Sequence, residues 1–266
     1  SLDLIKHGTV SDEETIRDTA IAQPLIVASS LASAQLLNLS KISGVAGHSV
    51  GEVSAAGIAG IINFKSAMGL VNVRAKAMAK AAAASEQSMA AILGGDQDLV
   101  IAKLEELDLA GANFNGAGQI VAAGSKSAIA ALVQSPPEGS KVIPLSVAGA
   151  FHTKFMEPAV AELEAYTNEL AVQDPAITIW SNNSGQDVSS GKEFIQLLVG
   201  QVANSVRWDL CMQAMATAGV TGVIEVSPAG TLAGLAKRGM PGVEIVALKS
   251  PADLDAANSL IERLGK

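Results

Sequence analysis

One cysteine, Cys211, stands alone in 266 residues. That excludes an internal disulfide and a cysteine-rich metal centre, and it fits a reducing compartment, so a cytoplasmic location is expected. Aromatic residues make up only 3% of the chain although 49% is hydrophobic. The core must therefore be built from Ala, Val, Ile and Leu, which suits helices packed closely on a mostly parallel sheet. Eighteen Lys and Arg against 26 Asp and Glu leave a net charge of −8, with the two signs interspersed rather than in blocks. Nucleic acid and anionic membrane surfaces are poor partners for such a chain. The longest stretch of low polarity, Val53 to Phe64, is too short and too rich in Gly and Ala to span a bilayer. No signal peptide is visible. No metal site or cofactor is expected. The chain opens on Ser1-Leu2-Asp3 without an initiator Met, so its true N-terminus is expected to lie outside it.

Element order divides the chain. A helix is predicted around 15–38, then a short strand at 44–46, a small-residue helix to about Gly60 and another over 66–84. The middle has a different rhythm. Strands at 88–93, 110–115, 119–123 and 141–147 alternate with helices at 96–107 and 125–134. Asp96 is the N-cap of the first of these helices, with Leu99, Leu104 and Leu107 on its apolar side. Gly116-Ala117-Gly118 is a hairpin signal, and Pro136-Pro137 ends the second helix. The resulting order, βαββαβ, is the ferredoxin-like arrangement. Residues 87–147 are thus expected to form a small subdomain inserted into a larger α/β domain of residues 1–86 and 148–266. In that larger domain helices at 158–170, 193–202, 210–218 and 231–237 alternate with strands at 177–181 and 222–226, which argues for a parallel sheet.

Gly47-His48-Ser49-Val50-Gly51 lies between the strand at 44–46 and the helix after it. A Gly-x-Ser-x-Gly turn in that setting leaves room for the backbone and lifts the serine hydroxyl clear for attack. The helix start adds its positive dipole end to a developing oxyanion, with the Val50 N–H as the natural first donor. The bland alternative is a glycine-rich turn with a capping serine. A serine nucleophile needs a base, and the chain offers only three histidines. His48 adjoins Ser49, where neighbouring side chains point apart, and is expected to pack the site. His7 lies in a polar segment that reads as surface. His152, in a loop at the junction of the two domains, is the expected base. No carboxylate sits at an obvious spacing to orient it. Glu52 is on the nucleophile's own helix, where a structural pairing is the simpler role, and a backbone carbonyl can fix the histidine tautomer equally well.

In the helix over 66–84, Ala67, Leu70, Val71, Ala77, Met78 and Ala81 share one arc, with Lys65, Asn72, Lys76 and Lys80 opposite. Arg74 falls in the middle of the apolar arc. Either a buried acid pairs with it or a ligand carboxylate does. After a serine elbow, the second option points to a dicarboxylic acyl group held by the planar guanidinium. An acyl group lacking the carboxylate would then leave a buried charge unpaired, at about 3–5 kcal/mol.

These residues in this order resemble the malonyl-CoA:acyl-carrier-protein transacylase family, over essentially the whole chain. Gly47 to Glu52 is similar to the family's GHSxGE motif. Val73-Arg74 through Met78 resembles its arginine helix, and Asn113-Phe114-Asn115 with Gly118-Gln119 its ANxNxxGQ stretch. Gly149-Ala150-Phe151-His152 resembles its histidine motif, in which the phenylalanine accompanies malonyl selection. The resemblance implies an α/β-hydrolase-like core and ping-pong transfer of malonyl from malonyl-CoA, through a Ser49 ester, to acyl carrier protein, in fatty-acid or polyketide synthesis. It implies Ser49 and His152 as catalytic residues. Arg74, Val50, Gln201, His48, Phe151 and Asn115 are implied at the substrate, with the Gln201 carbonyl orienting the histidine. A monomer is implied, with the carrier protein docking on exposed basic residues such as Lys126, Lys141, Lys237 or Arg238. The family opens with a strand ending in GQGSQ, whose glutamine backbone is the second oxyanion donor. That N-terminal strand is expected to be missing from this sequence. Ser205 and Ser227-Pro228-Ala229-Gly230 depart from the family pattern without touching the expected chemistry. A serine hydrolase, sharing Ser49 and His152 but using water, and a non-catalytic carrier-binding module are the competing readings.

Overall fold

The computed structural model describes residues 2–147 and 149–265. Short side chains let three helices lie close together at its centre. After α1 (Leu4–Thr9) and α2 (Glu13–Arg17) come α3 (Thr19–Ala34), β1 (Gly44–Ala46), α4 (Gly51–Ile58) and α5 (Phe64–Ala82). The single helix expected over 15–38 is divided at Asp18, which ends α2 and caps α3 by accepting from the Ala20 N–H. Asn63 caps α5 in the same way through the Ser66 N–H. Val27 and Leu31, Val53 and Ala56, and Leu70, Val71 and Met78 form one buried cluster with Leu163, Ile179, Phe194 and Leu198 from later elements. The predicted apolar arc of α5 is the face that enters this core, and its lysines lie outside.

The middle of the chain holds β2 (Gln87–Gly94), α6 (Gln97–Glu106), β3 (Ala110–Gly116), β4 (Gln119–Ser125), α7 (Lys126–Gln134) and β5 (Ser140–Pro144). These strands hydrogen-bond in the order β5-β2-β4-β3. One face of the sheet packs Ala90, Ile92, Ile120 and Ala122 against Val100 and Leu104 of α6 and Ile129 and Leu132 of α7. Its other face, with Met89, Val121 and Ala123, packs on Ala150, Phe151 and Phe155. Two expectations fail here in detail. Leu99 is 52% exposed, because the buried pair one turn apart on α6 is Val100 and Leu104. The last strand stops at Pro144 rather than reaching Val147: the Leu145 N–H still bonds the Met89 carbonyl, but the Val147 N–H then turns back to the Leu145 carbonyl. Ala148, where the larger unit is expected to resume, lies outside the described residues.

The chain continues through α8 (Glu157–Thr167), β6 (Thr178–Trp180), α9 (Gly191–Gln201), β7 (Val206–Arg207) and α10 (Trp208–Thr217). It ends with β8 (Gly222–Glu225), α11 (Thr231–Gly239), β9 (Glu244–Ala247) and α12 (Leu254–Leu264). The expected parallel sheet takes the form of two parallel pairs, β1 with β6 and β8 with β9, among the described residues. Strand β7, too short to announce itself, adds in parallel to the outer edge of β3. Sequence periodicity also passed over β9 and α12, which close the last core around Leu248, Ala257 and Ile261. The architecture is mixed α/β with parallel elements.

The free N–H groups at the start of α11 are taken from within the chain. The Glu225 carboxylate, at the end of β8, accepts from the N–H groups of Gly230, Leu232 and Ala233 at 2.6, 2.8 and 2.8 Å. Replacing Glu225 with Ala leaves three donors without this acceptor, in a half-buried setting. Urea unfolding should show a loss of about 1–3 kcal/mol with an unchanged slope.

Candidate active site

Strand register places the first group of residues. Ala46 of β1 lies opposite Trp180 of β6, so the residues just past each strand meet. Past β1 the chain makes its elbow, with Ser49 in the left-handed region at φ 53°. For a residue with a Cβ that conformation costs about 1–2 kcal/mol. Gly47 makes the turn possible, since a Cβ there would lie 2.0 Å from the Gly51 carbonyl carbon. Past β6 comes Asn182, fully buried. Its Oδ1 accepts the Ser49 N–H at 2.8 Å and its Nδ2 donates to the Gly47 carbonyl at 2.7 Å. One amide thus grips the elbow on both sides of His48.

The loop before α8 brings His152 to the elbow, with its Nε2 at 2.7 Å from the Ser49 Oγ. Its Nδ1 lies 2.8 Å from the Gln201 carbonyl. A carbonyl only accepts, so the proton sits on Nδ1 and the Nε2 lone pair faces the serine hydroxyl. No carboxylate hydrogen-bonds His152 among the described residues. Burial, helped by the Arg74 charge, pushes the imidazole down to about 3 against the pull of the Gln201 carbonyl. The ring is therefore neutral at pH 7 and able to take a proton. Its own backbone is left-handed, φ 62°, and the loop is pinned by Ala150 N–H to the Gln87 Oε1 at 2.8 Å.

Arg74 enters from α5, only 1% exposed. It donates from Nη1 to the Gln23 side chain of α3, and from Nη2 to the Gln201 Oε1 at 2.9 Å and the Ser49 Oγ at 3.2 Å. All three acceptors are neutral, and Nε has no partner. Burial brings the guanidinium down to about 10, opposed by the Glu52 charge nearby, so it stays cationic at neutral pH. The sequence left open whether a buried acid or a ligand carboxylate answers Arg74; in the structure no carboxylate forms an ion pair with it among the described residues.

Glu52 is fully buried on α4 and accepts from the Asn182 N–H and from the Gln201 Nε2. Burial raises its carboxyl to about 7, against the Asn182 N–H and the Arg74 charge. His48 points away from the hydroxyl. Its Nε2 meets the Asn115 Oδ1 at 2.9 Å and its ring stands edge-on to Trp208. Asn115, expected at the substrate, is thus engaged by His48. His7 is half-buried, with its ring against the Ser11 hydroxyl, and forms no hydrogen bond with this group. Phe151 lies against the main core and the sheet face of the middle unit. The Val50 N–H, at the start of α4, donates to no group among the described residues. A cavity of about 320 Å³ opens beside His152, lined also by Leu109, Phe155, Asn204 and Ser205. Cys211 is buried, its thiol raised to about 12 by burial first and then by the Glu52 charge, so it is no rival nucleophile. No group of three or more His, Cys, Asp or Glu is placed to hold a metal among the described residues.

Two residues at the site escaped the sequence reading. Gln23 sits in a helix where a lone amide carries no signal. Asn182 could have been found, because it directly follows a predicted parallel strand, and ligand sites gather at such strand ends.

A serine on an elbow, a neutral histidine and a buried arginine make a centre for acyl transfer through an ester. In keeping with that, residues 3–250 match the family described as the acyl transferase domain. The malonyl CoA-acyl carrier protein transacylase of Mycobacterium tuberculosis is 47% identical over 264 residues, 97% of this chain and 87% of the relative. The crystal structure of MCAT from that organism superposes with a TM-score of 0.92 at 46% identity, over 97% of this chain and 87% of that one. A malonyl-transacylase solved in complex with a type II PKS acyl-carrier protein has a TM-score of 0.89 at 29% identity, covering 97% and 86%. The chain belongs to the malonyl CoA-acyl carrier protein transacylase family.

The buried imidazole makes stability depend on pH with a definite sign. Folding lowers the His152 pKa from 6.5 to about 3, so between those values the unfolded chain binds the proton and the folded one does not. The stability present above 6.5 is therefore lost as pH falls toward 3. Urea unfolding of the wild type and His152→Gln between pH 7 and 4 isolates this contribution. The difference between the two proteins should shrink or reverse as pH falls; a pH-independent difference would contradict a buried neutral His152.

Proposed function

We infer that this chain transfers the malonyl group of malonyl-CoA to the phosphopantetheine thiol of acyl carrier protein, in fatty-acid or polyketide synthesis. The observation that carries the reading is Arg74, a buried cation with neutral partners only, 3.2 Å from the nucleophile. His152 takes the Ser49 proton on Nε2 as Oγ attacks the thioester carbonyl. The oxyanion forms at the start of α4, within reach of the Val50 N–H and the helix dipole. Collapse breaks the C–S bond, and the CoA sulfur leaves with the proton from His152. The Arg74 guanidinium holds the malonyl carboxylate, turning Nη2 from Ser49 as the ester forms. The carrier thiol then repeats the sequence in reverse, giving its proton to His152 and returning one to Ser49. Gln201 keeps His152 in the working tautomer throughout, and Phe151, packed between the main core and the sheet of the middle unit, backs the loop that carries it.

The fold supports the same reading at finer grain. The order β5-β2-β4-β3, with both helices on one face, supports a ferredoxin-like subdomain at residues 87–147. The elbow between β1 and α4, with β6 in parallel beside it, fits an α/β-hydrolase-like core at 1–86 and 148–266. Lys126, Lys141, Lys237 and Arg238 are all exposed and available to an acidic carrier protein. The single cysteine is buried and free, which fits the reducing conditions of a cytoplasm, and no helix among the described residues is long and apolar enough to cross a membrane.

Gln23 and Gln201 lower the cost of an absent ligand carboxylate below that of a fully unpaired buried charge. The malonyl carboxylate is then worth about 1.5–3 kcal/mol, roughly ten- to 150-fold in rate. Acyl-enzyme formation from malonyl-CoA and acetyl-CoA, measured in the wild type and Arg74→Ala, tests this. The variant should lose that factor with malonyl-CoA and not with acetyl-CoA. An unchanged ratio between the two substrates would overturn the assignment.

A further inference from the structure

Glu52 is an acid that the transfer steps above do not use, buried completely beneath the nucleophile. Resting on the acyl-transfer reading of this site, we propose that Glu52 is a positioning residue that locks nucleophile, base and cation into one geometry through Asn182 and Gln201. One carboxylate oxygen accepts the Asn182 N–H at 2.6 Å, and the Asn182 side chain grips Ser49 and Gly47. The other accepts the Gln201 Nε2. Gln201 in turn offers its Oε1 to Arg74 and its main-chain carbonyl to His152. Its Nε2 also reaches the Ser49 carbonyl at 3.1 Å and the Asn182 Oδ1 at 3.2 Å. Every group that faces the Glu52 oxygens donates.

Chemistry makes this position specific for a carboxylate. Two donors converge on Glu52, and a carboxylate supplies two acceptor oxygens where an amide supplies one. A glutamine there would set its own NH2 against either the Asn182 N–H or the Gln201 NH2. If Gln201 rotated to relieve the clash, its NH2 would face the Arg74 guanidinium and its oxygen would leave it. Either way the disturbance reaches the reacting groups, because Asn182 and Gln201 have no slack. A misplacement of about 1 Å at such groups costs on the order of a hundredfold in rate.

The test compares Glu52→Gln with the wild type and with Ser54→Ala, a buried neighbour on α4 whose hydroxyl has no partner. Active sites are titrated with a fluorophosphonate, and malonyl-serine formation is followed in single turnovers, per titrated site. Thermal midpoints are recorded alongside. The expected result is a fall of tenfold or more per site in Glu52→Gln, a smaller preference for malonyl-CoA over acetyl-CoA, and no change in Ser54→Ala. A merely structural role would lower the midpoint and the number of titrated sites while leaving the rate and preference per site alone, and that result would overturn the proposal. If Glu52→Gln does not fold, Glu52→Asp keeps the carboxyl group but withdraws it by one methylene, and a wild-type rate per site in it is equally contradictory. Failure of both to fold makes Glu52 a stability residue and also overturns it. Should the wild type itself react with fluorophosphonate but not malonyl-CoA, the malonyl reading fails instead, and the Glu52 effect is still read from the fluorophosphonate rate.

Discussion

A serine hydroxyl can stand clear of its own turn only if the backbone beneath it adopts a conformation that L-residues avoid. Ser49 does so, and the surroundings are arranged to keep it there. Gly47 gives the backbone room, β6 delivers Asn182 to hold both sides of the turn, and the first turn of α4 closes over it through Gly51 N–H to His48 O and Glu52 N–H to Ser49 O. The cost of the left-handed residue is small beside the stability of a domain, but it is concentrated at one atom's position. His152, also left-handed, brings its Nε2 to 2.7 Å from that atom.

Electrostatics follows from the same burial. An acid beside His152 would raise its pKa and bring a negative charge near a reaction that develops one. The Gln201 carbonyl fixes the tautomer without that charge, and burial with Arg74 keeps the ring neutral. Arg74 is held by amides and a hydroxyl, which orient the guanidinium without neutralising it. The positive charge stays available to a carboxylate arriving with the substrate. The acid that does lie near, Glu52, is kept one residue away behind Gln201 and Asn182.

Much of this was legible in the sequence where one residue type answers one local demand. The elbow needs glycines at fixed spacing, and the arc of α5 makes Arg74 conspicuous because nothing else on that face is charged. Scarcity helped too, since of three histidines His152 is the one whose ring meets the Ser49 hydroxyl. What escaped depends on tertiary register. Asn182 matters only because β6 lies parallel to β1, and the Gln201 side chain, unlike the carbonyl that the resemblance implied, gains its role only by reaching both Arg74 and Glu52. Leu99 was misplaced because helical spacing gives an arc but not which edge of it meets the sheet. The short strands β7 and β9 are fixed by their neighbours rather than by their own residues.

Every step of the proposed transfer depends on Ser49 becoming the acyl carrier. The direct measurement is a rapid-quench peptide map after mixing with malonyl-CoA in the absence of a thiol acceptor. One malonyl ester should accumulate on the peptide containing Ser49 and discharge when carrier-protein thiol is added. A malonyl group found on another residue, or transfer to the thiol with no ester on Ser49, would contradict it.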